Sequence, residues 1–182
     1  MKKIIMLICL LCNACVIYVY AKPHFYYGVS FECDINTFRE PREKLNNKIS
    51  LVGVRPAYPA ADQVIIEIIE MNEEEKQTLT ETEFLKQTLA LIIDPNAKMK
   101  VKEYSEPQLL EGGNERLYYV DVVYKLLKMR HRIYALKKDG FMVVLQIIAF
   151  GKDFMKPYYE LQDSFKFESK YSLAEFELRK YE

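Results

Sequence analysis

Between residues 22 and 167 the strongest apolar patterns are those of strands, some alternating and some apolar at both parities. Residues 26–31 form a short aromatic and β-branched run, predicted as a strand. A second run covers 49–54 and ends at Arg55-Pro56, because a residue before proline favours extended backbone. Residues 64–69 (Val-Ile-Ile-Glu-Ile-Ile) are apolar at both parities, which predicts a central strand covered on both sides. The period then changes. Thr80 precedes Glu83 by three, the capping-box spacing. Phe84, Leu85, Thr88, Leu89 and Ile92 follow on one helical face, and Asp94-Pro95 ends the predicted helix over 82–93.

Alternation returns at 99–102, the pattern of a half-exposed strand. Gly112-Gly113-Asn114 reads as a turn before a long strand over 117–127. Its even positions are apolar or aromatic, and its odd positions include Asp121 and Lys125. Strands at 129–136 and 141–149 are joined by Lys138-Asp139-Gly140, an Asp-Gly hairpin signal. The second of them is apolar on both faces apart from Gln146, so it too is predicted to be internal. A closing helix starts near Asp153, with Phe154, Tyr158, Leu161 and Phe165 as its apolar stripe. Ser172 and Glu175 repeat the capping spacing in a short charged tail over 168–182. Three strands, a helix, four strands and a helix predict an α+β class with an antiparallel sheet. Two strands buried on both faces predict cover on each side, as in an α-β-α sandwich.

This arrangement resembles the PsbP-like superfamily, which includes an extrinsic photosystem subunit and many small secreted or lipid-anchored bacterial proteins. The resembling features are Tyr27-Gly28-Val29-Ser30-Phe31 as first strand, the two-faced strand 64–69 and the helix 82–93. The strand ladder over 117–149 and the closing helix ending at Ser164-Phe165 complete the likeness, which covers most of 25–167. The resemblance implies a central antiparallel sheet of six or seven strands flanked by helices. It also implies a binding or accessory module, without a shared catalytic site.

The first 21 residues stand apart from that domain. Met1-Lys2-Lys3 is a basic start, an apolar run follows to Val19, and Val19-Tyr20-Ala21 approaches an A-x-A cleavage pattern. This layout predicts a secretory signal peptide cut after Ala21, hence a periplasmic or secreted protein. An uncleaved anchor is the alternative, although the run is slightly short for a span of about 20 residues. Lipidation at Cys15 is a third reading, weakened because of the residues before it only Ala14 fits a lipoprotein signal well. Membrane contact is expected only if the signal stays uncleaved or Cys15 is lipidated.

Composition narrows the function classes. The 182 residues are 50% hydrophobic and 13% aromatic with 6 Gly and 7 Pro, which excludes disordered and low-complexity chains. Lys+Arg and Asp+Glu are 26 each, so no broadly basic surface points to nucleic acid. Without Lys2 and Lys3 the balance is 24 basic to 26 acidic, a net of −2. Cys9, Cys12 and Cys15 leave with the signal, so Cys33 alone remains and no internal disulfide can form. A lone thiol with His24 or His131 as base would be a catalytic reading; a buried apolar residue is the simpler one.

The candidate chemical groups interrupt the core strands. Glu67, Asp121 and Gln146 do so, and on one face they would form a polar cluster with Arg130 or Arg132. Structural ion pairs or positions at the wet end of the sheet account for the same residues. Lys128, Arg130, His131 and Arg132 form a basic knot able to meet an anion. On a strand Arg130 and Arg132 share one face and His131 takes the other, which makes a solvated basic face and a satisfied imidazole. No spacing fits a metal site, and no Gly-x-Ser-x-Gly, Walker or dinucleotide motif occurs, so neither metal nor cofactor is expected. Paired tyrosines at 26–27, 118–119 and 158–159 suit either sheet packing or an interface. The expectation is an exported non-enzymatic module for a protein or small-molecule partner. The alternatives are a small exported hydrolase using Glu67, Asp121 or Cys33, and a secreted effector.

Overall fold

The computed structural model describes residues 22–35, 38–39, 48–56, 60–94, 96, 99–125, 129–151 and 153–169. The expected signal segment, Cys15, Lys128 and the tail pattern at Ser172 and Glu175 lie outside them. The fold is α+β, dominated by one large antiparallel sheet. In chain order its strands are β1 (Lys22–Tyr26), β2 (Val29–Cys33), β3 (Phe38–Arg39), β4 (Lys48–Arg55) and β5 (Asp62–Glu70). Two helices follow, α1 (Glu73–Thr78) and α2 (Glu81–Ile92). Then come β6 (Val101–Tyr104), β7 (Gln108–Leu109), β8 (Tyr118–Tyr124), β9 (Met129–Lys138) and β10 (Phe141–Phe150). A 3-10 turn (Lys156–Tyr158), α3 (Tyr159–Ser164) and β11 (Lys166–Phe167) close the described chain.

Seven strands of the large sheet run β3-β4-β5-β10-β9-β8-β6, and the two-residue β7 adds to β8. β5 and β10, the two strands apolar at both parities, pair with each other in the middle. The β9–β10 hairpin turns at Asp139 (φ 51°) and Gly140 (φ 86°), the two left-handed residues of a type I′ turn.

The run at 26–31 differs from its sequence reading. Tyr27 (φ 50°) and Gly28 (φ 82°) break it into a hairpin between β1 and β2. Gly28 takes that backbone without strain, while Tyr27 is held there with its side chain buried. These strands join β11 in a separate sheet, β1-β2-β11, outside the large one.

The cover on the two faces is unequal. On the small-sheet face, Val64, Ile66, Val143, Leu145 and Ile147 share one core with Val29, Phe31, Tyr158, Leu161 and Phe165. The short α3 packs on β2 there. On the helix face, Leu85 and Leu89 of α2 meet Val120, Val122, Ile133, Ala135 and Val144. Thr80 caps α2 by accepting from the Glu83 amide at 3.2 Å, one half of the capping box that its spacing predicts. The sequence reading missed α1, whose capping box is Asn72 and Glu75: each accepts the other's backbone N–H, at 2.9 and 2.8 Å. Lys137 of β9 fastens this layer by donating to the Lys76 and Leu79 carbonyls, both at 2.7 Å.

Candidate functional site

Strand register sorts the five candidate residues onto opposite faces. Glu67 lies opposite Val144, on the helix face, and Gln146 shares that face two residues further along β10. Asp121 lies opposite Arg132, and Arg130 is two residues before it, all on the small-sheet face. The single cluster considered from the sequence is therefore two clusters. Glu67 and Asp121 do not meet, so they cannot share a proton.

On the helix face the polar side chains join in a row across five neighbouring strands. Lys48 Nζ donates to Glu67 Oε1 at 2.7 Å, and Gln146 Nε2 donates to Glu67 Oε2 at 3.3 Å. Gln146 Oε1 lies 3.0 Å from His131 Nε2, and His131 Nδ1 lies 3.3 Å from the Tyr124 hydroxyl. The proton positions follow from the carboxylate. Glu67 only accepts, so the Gln146 amide nitrogen faces it and the amide oxygen faces His131. Nε2 must then carry the imidazole proton, and the neutral ring accepts at Nδ1 from Tyr124. Burial pushes His131 down to about 4, against a smaller opposing effect of the Gln146 bond. The row thus holds a neutral histidine with both nitrogens satisfied. Lys48 and Tyr124 were not foreseen as members; the legible trace is that each of the strands involved places a polar atom in an otherwise apolar series.

The small-sheet face carries charge. Arg132 donates Nε and a terminal nitrogen to the two Asp121 oxygens, both at 2.7 Å, a bidentate pair. Its guanidinium lies 4.4 Å from the Tyr119 ring centre and 5.7 Å from that of Phe154. Burial, the largest single effect, would lower the Arg132 pKa, but the Asp121 bonds, the Asp121 charge and Tyr134 together outweigh it and the group is held more firmly protonated. At the far side of this face, Arg55 Nε donates to Asp34 Oδ2 and the Tyr158 hydroxyl to Asp62 Oδ2, both at 2.8 Å. The second bond ties the closing 3-10 turn to β5, and the first ties β4 to the residue after β2. Cys33 is buried, and burial followed by the Asp34 charge pushes its thiol up to about 11, against a backbone bond from Ile35. That is the reverse of an activated thiolate.

Arg130 differs from Arg132. Its guanidinium carbon lies 5.8 Å from the Phe154 ring centre, and no described carboxylate lies within ion-pair distance of it. It lines a cleft of about 520 Å³ with Lys102 and Glu103 of β6, Val123 and Tyr124 of β8, and Lys125. A groove beside Ile92, Lys100 and Tyr104 holds about 310 Å³. The cleft brings Arg130 together with Lys102 and Lys125, which strand parity within β9 could not reveal. Among the described residues no three His, Cys, Asp or Glu side chains group to hold a metal, and no helix is long and apolar enough to cross a membrane. No protein-family model matches the chain, and no curated protein does.

Proposed function

We propose that the protein is an exported binding module of the PsbP-like kind, an α-β-α sandwich that holds a protein or small ligand without turning it over. The observation that carries this reading is the contrast between closed clusters and an open cleft. Glu67, Asp121, Asp62 and Arg132 are each committed to a partner within the fold. The Lys102–Arg130 cleft, at about 520 Å³, is of the size that takes small ligands, roughly 300–1,000 Å³. Its cations face space instead of fixed carboxylates, apart from Glu103 at 4.0 Å from Lys102. A hydrolase on Glu67, Asp121 or Cys33 would need those groups to converge, and Glu67 lies on the opposite face from Asp121.

Filling the cleft tests the proposal. Val123→Trp places an indole beside Arg130. A partner retained from periplasmic or culture fluid by the unaltered chain should be lost by this variant, with its circular dichroism unchanged. Retention that survives the filled cleft would overturn the proposal. So would turnover in an enzyme screen with nothing retained.

A further inference from the structure

We infer that the cleft beside Arg130 takes a small amphiphilic organic anion, a carboxylate on an apolar body. This rests on the binding reading above and gives it a ligand class.

The first argument is charge. Lys102, Lys125 and Arg130 line the cleft against one acid, Glu103. Glu103 sits 4.0 Å from Lys102, so Lys125 and Arg130 are left without a described acidic partner. Coulomb attraction from several cations in one concavity raises the local concentration of anions.

The second is geometry. The Arg130 guanidinium lies over the Phe154 ring at 5.8 Å. No described carboxylate pairs with Arg130, so its N–H fork, the shape that matches a carboxylate, is left to donate. Arg132 cannot supply this function. Both its donor directions toward Asp121 are filled at 2.7 Å. Arg132 also lies over the Phe154 ring, at 5.7 Å, so both guanidinium groups meet the same aromatic side chain.

The third is the apolar wall. Val123 lines the cleft on the same face as Arg130, and Gly151 adds no side chain to fill it. A fully hydrated inorganic anion would leave that wall wet, whereas an alkyl or aryl body would cover it.

Octanoate is the probe, titrated into the full chain and followed by the two-dimensional amide spectrum and by calorimetry. Saturable binding is expected, with shifts at Val123, Tyr124 and Gly151. Octanol, which has the body without the charge, and inorganic phosphate, which has charge without the body, should each bind at least roughly tenfold more weakly. Arg130→Gln should weaken octanoate about tenfold or more, and Arg130→Lys should restore part of the loss. Lys125→Gln, at an exposed position, supplies a second variant and should weaken binding severalfold.

Octanoate that fails to saturate, or that binds Arg130→Gln as tightly as the unaltered chain, would overturn the inference. Binding to phosphatidylglycerol vesicles without binding to free octanoate would also overturn it, in favour of a membrane surface. The two proposals separate cleanly. Partner retention that is lost in Val123→Trp but indifferent to octanoate and to Arg130→Gln leaves the binding module standing and removes the anion.

Discussion

On the helix face of the large sheet, Lys48, Glu67, Gln146, His131 and Tyr124 bond in one row; on the small-sheet face, Asp121 and Arg132 bond as a single bidentate pair under aromatic rings. Both arrangements satisfy polar groups inside a core, but by different physics. The row moves from an ion pair at its more exposed end, through a neutral amide, to a neutral imidazole and a phenol. Full charge stays where Lys48 is 40% exposed and is absent where His131 is 6% exposed. The pair instead keeps two full charges and offsets their desolvation by two short bonds and the Tyr119 ring. The lesson is that a buried polar group on this sheet is tolerated through its partners, and that the two faces should answer pH differently.

The largest expected effect is the pH response of the helix face. An unfolded chain takes a proton on His131 at its ordinary value of 6.5, but the folded chain only near 4. Between those values the unfolded state holds more protons, so stability is full above pH 6.5 and falls as pH drops toward 4. The loss is about 3 kcal/mol over that window. Urea melts from pH 7.5 to 4 should show this slope, and His131→Gln should flatten it. An unchanged slope in the variant would remove His131 as its source.

Breaking the other face comes next. Arg132→Met leaves Asp121 with an uncompensated charge in a site one third exposed, which should cost about 2 kcal/mol at pH 7. Adding Asp121→Leu should recover part of it, because the orphaned charge goes as well. Equal stabilities for the single and double variants would show that the pair is uncoupled. The smallest effect is expected at the exposed end of the row. Lys48→Met should cost less than about 1 kcal/mol, since the ion pair is partly in solvent, and the loss should shrink as salt rises.

Local signals account for much of what was legible. Two-sided apolar runs marked β5 and β10 as interior, the Asp139-Gly140 turn joined β9 to β10, and Thr80 with Glu83 opened α2. Each of these depends on residues within one turn or one strand. The Asn72 and Glu75 capping box of α1 was equally local and was simply not read. The β1–β2 hairpin was harder, because Tyr27 is a residue that rarely takes positive φ, and its buried side chain is a tertiary feature.

By itself the sequence determined which residues of one strand share a face, so Arg130 and Arg132 had to point away from His131. It could not determine how the parity of one strand relates to that of another. That relation is set by hydrogen-bond register between segments far apart in the chain, and a shift of one residue reverses every side chain. Register alone brought Gln146 to Glu67 across 79 residues and placed Asp121 on the far side of the sheet from both. The open cleft is likewise tertiary: β6, β8, β9 and Gly151 surround it, and no one of these segments encloses a site alone.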